Sequence, residues 1–363
     1  LGCGPDSVRF RPALTVTHDE IDAAALSGAV RDVLMRHESL RTVFPDSPEG
    51  PYQDVRTVDE VGIELHTATV ESAELDTVGR EFFAAGFDLT AAAPMRAALY
   101  SSPEDEHVLV LVIHHIVMDG WSLAPLAADI VQAYTTRTAG AAPEWAPLEV
   151  QYADYTLWQR EVLGDESDPT SVAATQLEYW RTTLAGLPEH IDLPGDRPRP
   201  PTPSYRGGSA RTSVAADVHR GLTDIARAHD ASVFMVLHAA LAVLLHRMAN
   251  TDDVAVGTAV AGRGDQALDG LIGMFVGTLV LRTEVSSARS FADLLDTVRG
   301  NDLDAFENAD IPFERIVEEI NPVRSQSHSP LCQVSLTFEQ SDDTSFTLPG
   351  LHIEAYPFDT EVS

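Results

Sequence analysis

The chain contains no lysine: all 24 of its basic residues are arginine, set against 56 aspartates and glutamates. A Schiff-base or lysine-nucleophile chemistry is therefore excluded. The net charge of −32 argues against nucleic acid or an anionic membrane surface as a partner. The acidic residues are scattered, which reads as a solvated surface. Cysteine is almost absent. Cys3 and Cys332 are too few for a disulfide framework and neither has metal-ligand spacing, so a reducing, cytoplasmic setting and no metal are predicted. No apolar run approaches membrane-spanning length. No signal peptide is recognisable, residue 1 is Leu rather than Met, and the chain stops on Val362-Ser363; it reads as a piece of a longer protein. The glycine-rich stretch Ala261-Gly-Arg-Gly-Asp265 lacks the Gly-Lys-Ser/Thr of a phosphate loop.

What is present is enough apolar material for large cores: 44% of 363 residues, a length that suggests two lobes. One stretch stands out. Val108-Leu-Val-Leu-Val-Ile113 runs directly into His114 and His115, with Asp119-Gly120 four residues on. A continuous apolar run of this kind predicts a strand buried on both faces. It delivers two imidazoles to the end of a sheet, and strand alternation would send them to opposite sides. A neutral imidazole there can take a proton from an amine or hydroxyl near neutral pH, and a nearby carboxylate can fix the loop or the ring tautomer. The plain alternative is a packed core histidine beside a turn aspartate. Gly120 permits a tight path, and the following residues begin a helical pattern.

Along the rest of the chain, residues 8–17 read as a strand. Asp19-Glu-Ile-Asp22 opens a helix with acids in its first turn, carrying Leu26, Val30, Val33 and Leu34 at helical spacing until Pro45 stops the segment. Arg41 is either an anion partner or a surface arginine. Short strands at 51–72, a helix at 73–83 and a strand through Tyr100 precede the histidines, and a helix then runs to about Thr138. Tyr152, Tyr155 and Trp158 have helical spacing and read as core packing. The stretch Leu193-Pro-Gly-Asp-Arg-Pro-Arg-Pro-Pro-Thr-Pro203 can hold neither a helix nor a central strand. It predicts a lobe at 1–190, a linker at 191–203 and a second lobe at 204–363. That second lobe should contain a strand at 209–214, a helix at 216–229, a helix capped by Ser232, a buried strand at 253–260, an apolar segment at 271–282 ending in a strand, a helix at 290–307, a turn at 310–315 and a strand at 332–338. Mixed segments in two units fit an α+β fold with a cleft.

Taken together, these segments resemble the condensation domain of nonribosomal peptide synthetases, in the chloramphenicol-acetyltransferase-like superfamily. The family's His-His-x-x-x-Asp-Gly signature stands intact as His114-His115-Ile116-Val117-Met118-Asp119-Gly120, followed by Trp121-Ser122. Other core motifs follow the family's order: Arg36-His-Glu-Ser-Leu-Arg-Thr-Val-Phe44, Tyr152-Ala-Asp-Tyr-Thr-Leu-Trp-Gln-Arg160, Ile272-Gly-Met-Phe-Val-Gly-Thr-Leu279, Asp310-Ile-Pro-Phe-Glu314 and Ser329-Pro-Leu-Cys-Gln-Val334. Six ordered motifs are far more specific than one signature. The family's first motif and its final strands and helices fall outside residues 1–363. Two positions depart from its pattern: Gly277 where Asn is usual, and Cys332 where Phe is usual.

The resemblance implies two acetyltransferase-like lobes in a V-shaped pseudo-dimer around a central tunnel. It implies a donor aminoacyl or peptidyl thioester and an acceptor amine, each on the 4'-phosphopantetheine arm of a carrier domain, joined as an amide in secondary metabolism such as antibiotic or siderophore biosynthesis. Upstream and downstream peptidyl carrier domains and an adjacent adenylation domain are the implied partners; no cofactor or metal is bound. His115 is the implied catalytic base or amine-orienting group, and His114 the structural member of the pair. Asp119 is architectural, with Arg263 as its expected salt-bridge partner. Gly120 lets the backbone pass close to the site. Its amide is a candidate oxyanion donor, Ser335 is another, and Trp121 and Gly277 are candidate acceptor-site residues. The intact Asp-Gly-Trp-Ser and the insertion at Gly164–Thr170 are most similar to domains taking an L-configured donor. An epimerisation domain usually lacks the Gly and needs a further Glu motif that is not found. Two alternatives remain: a non-catalytic platform recruiting a tailoring enzyme, which would be expected to lose the second His or the Gly, and a stand-alone acyltransferase using coenzyme A or a carrier thioester to make esters or amides.

Overall fold

The computed structural model describes residues 9–10, 13–17, 21–103, 106–202, 207–323, 325–339, 346–348 and 351–355. In chain order the first elements are β1 (Arg9–Phe10), β2 (Ala13–Thr17), α1 (Ala23–Arg36), β3 (Thr42–Val43), β4 (Asp54–Val55), α2 (Val58–Val61), β5 (Leu65–Thr69), α3 (Leu75–Ala84), β6 (Met95–Ser101), β7 (Glu106–His114) and α4 (Leu123–Thr138). They are followed by α5 (Tyr152–Leu163), α6 (Val172–Thr183), α7 (Ala216–Ala228), α8 (Val233–Ala249), β8 (Asp253–Val260), β9 (Gly277–Glu284), α9 (Phe291–Glu307), α10 (Phe313–Ile320), β10 (Phe346–Leu348) and β11 (Leu351–Ala355). The chain forms two compact units. One comprises Leu1–Gln159, Arg263–Phe275 and Ser341–Thr360; the other comprises Arg160–Gly262, Val276–Gln340 and Glu361–Ser363.

The first unit is organised on β7. This strand lies antiparallel between β2 and β6, with Leu109 opposite Leu14 on one side and Leu99 on the other. The sheet continues to β11 and β10 at one edge, and to the parallel strand β5 at the other. Each residue from Val108 to Ile113 is at most 3% exposed. Alternation then divides them. Leu109, Leu111 and Ile113 enter the core formed with Leu26, Val30, Val33 and Leu34 of α1 and with Leu126 and Ile130 of α4. Val108, Val110 and Val112 face Leu75 and Phe83 of α3. Both faces of the strand are covered, as a run without polar alternation requires.

α1 is capped by Asp22, whose side chain accepts from the Ala25 N–H at 2.9 Å. Its first turn carries no acid: the predicted acidic first turn is instead an N-cap, where a short carboxylate satisfies an otherwise orphan amide. Asp19 and Glu20 lie outside the described residues. Asp32 of α1 accepts two bonds from Arg137 of α4, at 2.7 and 2.5 Å. The anion beside Arg41 is an internal one, Glu38. The Arg41 guanidinium also donates to the carbonyls of Leu34 (3.0 Å) and Arg56 (2.5 Å).

In the second unit β8 and β9 pair antiparallel from Asp253↔Glu284 to Val260↔Gly277. Ser232 and Ser290 cap α8 and α9 through their hydroxyls. Met235, Val236, Ala239, Ala242 and Leu245 of α8 pack with Leu294, Leu295 and Val298 of α9 and Val254 and Val256 of β8. α6 and α10 contribute Trp180 and Ile316 to a second core with Leu279 and Leu281.

Three expectations change here. Residues 209–214 form no strand. The predicted strand at 332–338 is reduced to one parallel bridge, Ser335↔Gly257. The turn at 310–315 opens α10, with Pro312 as its N-cap. The apolar segment 271–282 does end in a strand, β9, which starts at Gly277. The proline-rich stretch, described as far as residue 202, has no regular structure but belongs to the second unit. There the Ile191 N–H donates to Gln333 and Arg199 donates to the Ser327 carbonyl, each at 3.0 Å.

Candidate functional site

β7 ends on His114, and His115 begins the turn that follows. Both rings are half-buried. The His114 backbone N–H donates to the Pro94 carbonyl at 2.8 Å, and its Nδ1 accepts from the Ile116 N–H at 3.1 Å. An amide can only donate, so that ring carries its neutral-form proton on Nε2. The ring also stands edge-on to Phe87, 6.0 Å between centroids. His115 takes a different neighbour: its Nδ1 lies 3.1 Å from Met274 Sδ. The two histidines are thus separated by partner as well as by position.

Asp119 is fully buried. Its Oδ1 accepts from the Ser122 N–H (2.9 Å) and hydroxyl (2.8 Å), and its Oδ2 from the Phe275 N–H (3.0 Å). Arg263 is brought to it, but at 3.4 Å this contact is longer than those three. The guanidinium donates at shorter range to the carbonyls of Leu268 (2.5 Å) and Leu271 (3.1 Å) and to Ser122 Oγ (2.8 Å). It also lies 4.1 Å over the Phe275 ring, a cation–π contact. The Asp119 carboxylate is therefore the hydrogen-bonded centre of a loop junction, with a charge partner at its margin.

The segment Ile272–Phe275 is held residue by residue. Ser39 donates to the Ile272 carbonyl at 2.7 Å. The Gly273 carbonyl accepts from the Asp119 N–H and from Ser122 Oγ, both at 3.0 Å, and the Gly273 N–H donates back to that hydroxyl at 3.2 Å. The Tyr152 hydroxyl donates to the Met274 carbonyl at 2.7 Å, and Phe275 is bound by Asp119. Burial pushes the Tyr152 phenol up, with Tyr155 and Asp119 adding to the shift, so its hydroxyl stays protonated and can donate. A Cβ on Gly273 would stand 2.3 Å from Tyr152 Cδ2 and 2.6 Å from Phe275 Cε2, two ring atoms that cannot swing aside. Only glycine fits.

Of the predicted site residues, His114, His115, Asp119, Gly120, Trp121 and Arg263 all belong to the first unit. Gly120 opens a 3-10 turn, Gly120–Ser122, and is exposed; Trp121 is 41% exposed. Gly277 and Ser335 belong to the second unit. Gly277 starts β9, where a Cβ would meet Val260 Cγ2 at 3.2 Å. Ser335 is exposed and its Oγ would lie 3.0 Å from a Cβ on Gly257. Burial raises the Cys332 thiol to about 11, which keeps it protonated and unreactive. Among the described residues no group of three or more His, Cys, Asp or Glu side chains could hold a metal ion, and no single helix is long and apolar enough to cross a membrane.

Sequence reasoning missed the parts played by Ser39, Ser122, Tyr152, Gly273 and Met274. Each lies within one of the motif stretches, so those stretches pointed to the right residues. Their contacts, however, join positions far apart in the chain.

A family model described as Condensation domain matches residues 7–363. The chain is 48% identical over 360 residues to CymA of Salinispora arenicola, a probable non-canonical nonribosomal peptide synthetase; the match covers 99% of this chain and 5% of that protein. It is 44% identical over 348 residues to a dimodular nonribosomal peptide synthase of Bacillus subtilis, covering 96% of this chain and 15% of that one. The chain thus spans a small part of both relatives. Among solved structures it is similar to a complex of the X-domain and OxyB from teicoplanin biosynthesis, with a TM-score of 0.92 and 33% identity over 98% of this chain and 77% of that one.

Proposed function

Because the chain belongs to the condensation-domain family of nonribosomal peptide synthetases, with its chloramphenicol-acetyltransferase-like α+β fold, we propose that it forms amide bonds between carrier-bound substrates. The donor is an aminoacyl or peptidyl thioester, L-configured at its reacting residue, and the acceptor is an aminoacyl thioester with a free α-amine. Both ride on 4'-phosphopantetheine arms of carrier domains, beside an adenylation domain in the same synthetase.

In the reaction the amine nitrogen attacks the thioester carbonyl while His115 removes one of its protons. The tetrahedral intermediate collapses with loss of the thiolate, and the imidazolium returns the proton to that sulfur. One amide and one free thiol result, and no external acid or base is consumed. The Gly120 amide is the candidate donor to the developing oxyanion, with Ser335 as a second candidate. His114 and Asp119 act by holding the turn, and Trp121 and Gly277 are offered as acceptor-side residues.

A single observation carries this reading: the full His-His-x-x-x-Asp-Gly turn is present, and its aspartate is buried with every oxygen engaged. The test is to load donor and acceptor carrier domains, add the protein, and follow dipeptidyl thioester by mass spectrometry. His115→Ala should lower the rate by roughly 10²–10⁴-fold, the usual contribution of a general base. Equal rates for the two proteins would overturn it.

A second reading, a condensation-like platform that binds a partner protein, draws support from the similarity to an X-domain in complex with OxyB. It differs in outcome, since wild type and His115→Ala would then both fail to form product.

A further inference from the structure

We propose that Met274 is the positioning residue for His115: its thioether accepts the Nδ1–H and so sets the tautomer in which Nε2 carries the basic lone pair. The tautomer assignment rests on geometry alone, and its catalytic consequence rests on the general-base reading above.

The 3.1 Å separation of Nδ1 and Sδ is a hydrogen-bonding distance, and only one arrangement of the proton makes it attractive. A thioether sulfur has lone pairs and no proton, so it can only accept. A bare Nδ1 would oppose lone pair to lone pair. Nδ1 therefore carries the hydrogen, and in the neutral ring the lone pair lies on Nε2. His114, one position earlier, is set the other way: the Ile116 N–H takes its Nδ1 lone pair. Neighbouring histidines are thus held as opposite tautomers by different partners.

Methionine is usually a poor choice for positioning, because its unbranched chain rotates freely. Here its backbone is unusually constrained. Ile272, Gly273 and Met274 offer their carbonyls to Ser39, to Asp119 and Ser122, and to Tyr152, and the Phe275 N–H is taken by Asp119. Three separate motif segments converge on four consecutive residues. The result is to deliver the Met274 side chain to one imidazole nitrogen. A role of this kind also explains why so buried a junction accompanies the histidine turn.

The chemistry favours a thioether over the more familiar carboxylate. A carboxylate on Nδ1 would stabilise the imidazolium and hold on to its proton. The proposed reaction requires that proton back, for the departing thiolate. A neutral, weak acceptor fixes the ring without adding a charge that opposes its discharge.

The test combines two readouts on the 363-residue chain. The first is 15N NMR of histidine-labelled protein, with His115→Gln identifying the His115 ring among the 13 histidines. The second is the rate and KM of dipeptidyl thioester formation. Met274→Leu keeps the volume and removes the acceptor. It should move the ring toward the Nε2–H tautomer and lower kcat on the order of 10-fold, by analogy with the loss of a group that orients a metal-ligating imidazole, with KM for the loaded carriers unchanged. Met274→Gln restores an acceptor and should recover both the tautomer and most of the rate. The proposal is overturned if Met274→Leu keeps the Nδ1–H tautomer, or if the tautomer shifts with no loss of kcat. Activity of His115→Ala equal to wild type would instead overturn the general-base reading, while the NMR result still reports on Met274.

Discussion

Asp119 is closer to Ser122, at 2.8 Å, than to its arginine partner, at 3.4 Å. Removing the carboxylate would nevertheless strand the Phe275 N–H and take the counter-charge from a guanidinium whose side chain is only 7% exposed. Breaking a buried pair from one side typically costs about 3–5 kcal/mol, because the remaining charge stays desolvated. Asp119→Ala should lose that much in urea unfolding, and a loss under about 1 kcal/mol would show that water replaces the carboxylate. The signature's spacing was enough to single out His114, His115 and Asp119 as candidates, because residue type and local order carry that information; the choice of His115 over His114 came only with the family resemblance. Met274 was not legible. It meets His115 across 159 positions, and nothing in the local pattern of Ile272–Leu279 distinguishes a methionine that packs from one that orients a ring.

Elements were legible where the apolar period was strong and a capping residue marked the start. β7, α8 and α9 follow that rule, with both helices opened by a serine. Failures came where a long-range partner overrode the local pattern. The apolar run from Leu271 ends in a strand as expected, yet nothing local shows that its first five residues belong to the first unit. At the end of α1, nothing in the local pattern marks His37 as buried. It is 1% exposed, with Nε2 2.6 Å from Asp129 Oδ2 of α4, and Arg36 donates to the same oxygen at 2.9 Å. Burial lowers its pKa from the ordinary 6.5, outweighing the upward pull of Asp129, and the charge of Arg36 also lowers it. The folded chain therefore takes up this proton less readily than the unfolded chain. The contribution to stability is complete above pH 6.5 and is lost as pH falls through the folded pKa. Unfolding free energy should drop by up to about 1.4 kcal/mol per pH unit from this one group within that window. Denaturant titrations of wild type and His37→Gln between pH 7.5 and 5 should show a shallower decline in the variant; parallel curves would exclude His37 as a source of the slope.

Family membership emerged from the order of six motifs, a property of the whole chain that no single element carries. The division into compact units did not, because it depends on contacts. The proline-rich stretch looks like a boundary by composition, yet the contact-defined units part within α5 and exchange the segment Arg263–Phe275. Charge is the other property that belongs to the whole molecule. If each arginine neutralised one acid, 32 carboxylates would still be uncompensated, and their mutual repulsion destabilises the compact state. Salt acts on both sides of this balance. The arginine pairs sit in direct contact, as between Arg137 and Asp32 at 2.5 Å or Arg282 and Asp253 at 2.7 Å. A screening length of about 10 Å at 0.1 M salt leaves such contacts largely intact but suppresses repulsion between carboxylates spread over the surface. Exposed pairs contribute only about 0–1 kcal/mol each in any case. Salt should therefore relieve more repulsion than it removes attraction. Raising NaCl from about 10 to 150 mM should increase Tm on the order of 2–4 °C, equivalent to a gain of about 1 kcal/mol. Thermal scans at constant pH decide it: a Tm that falls with salt would mean that the arginine–carboxylate contacts outweigh the excess negative charge.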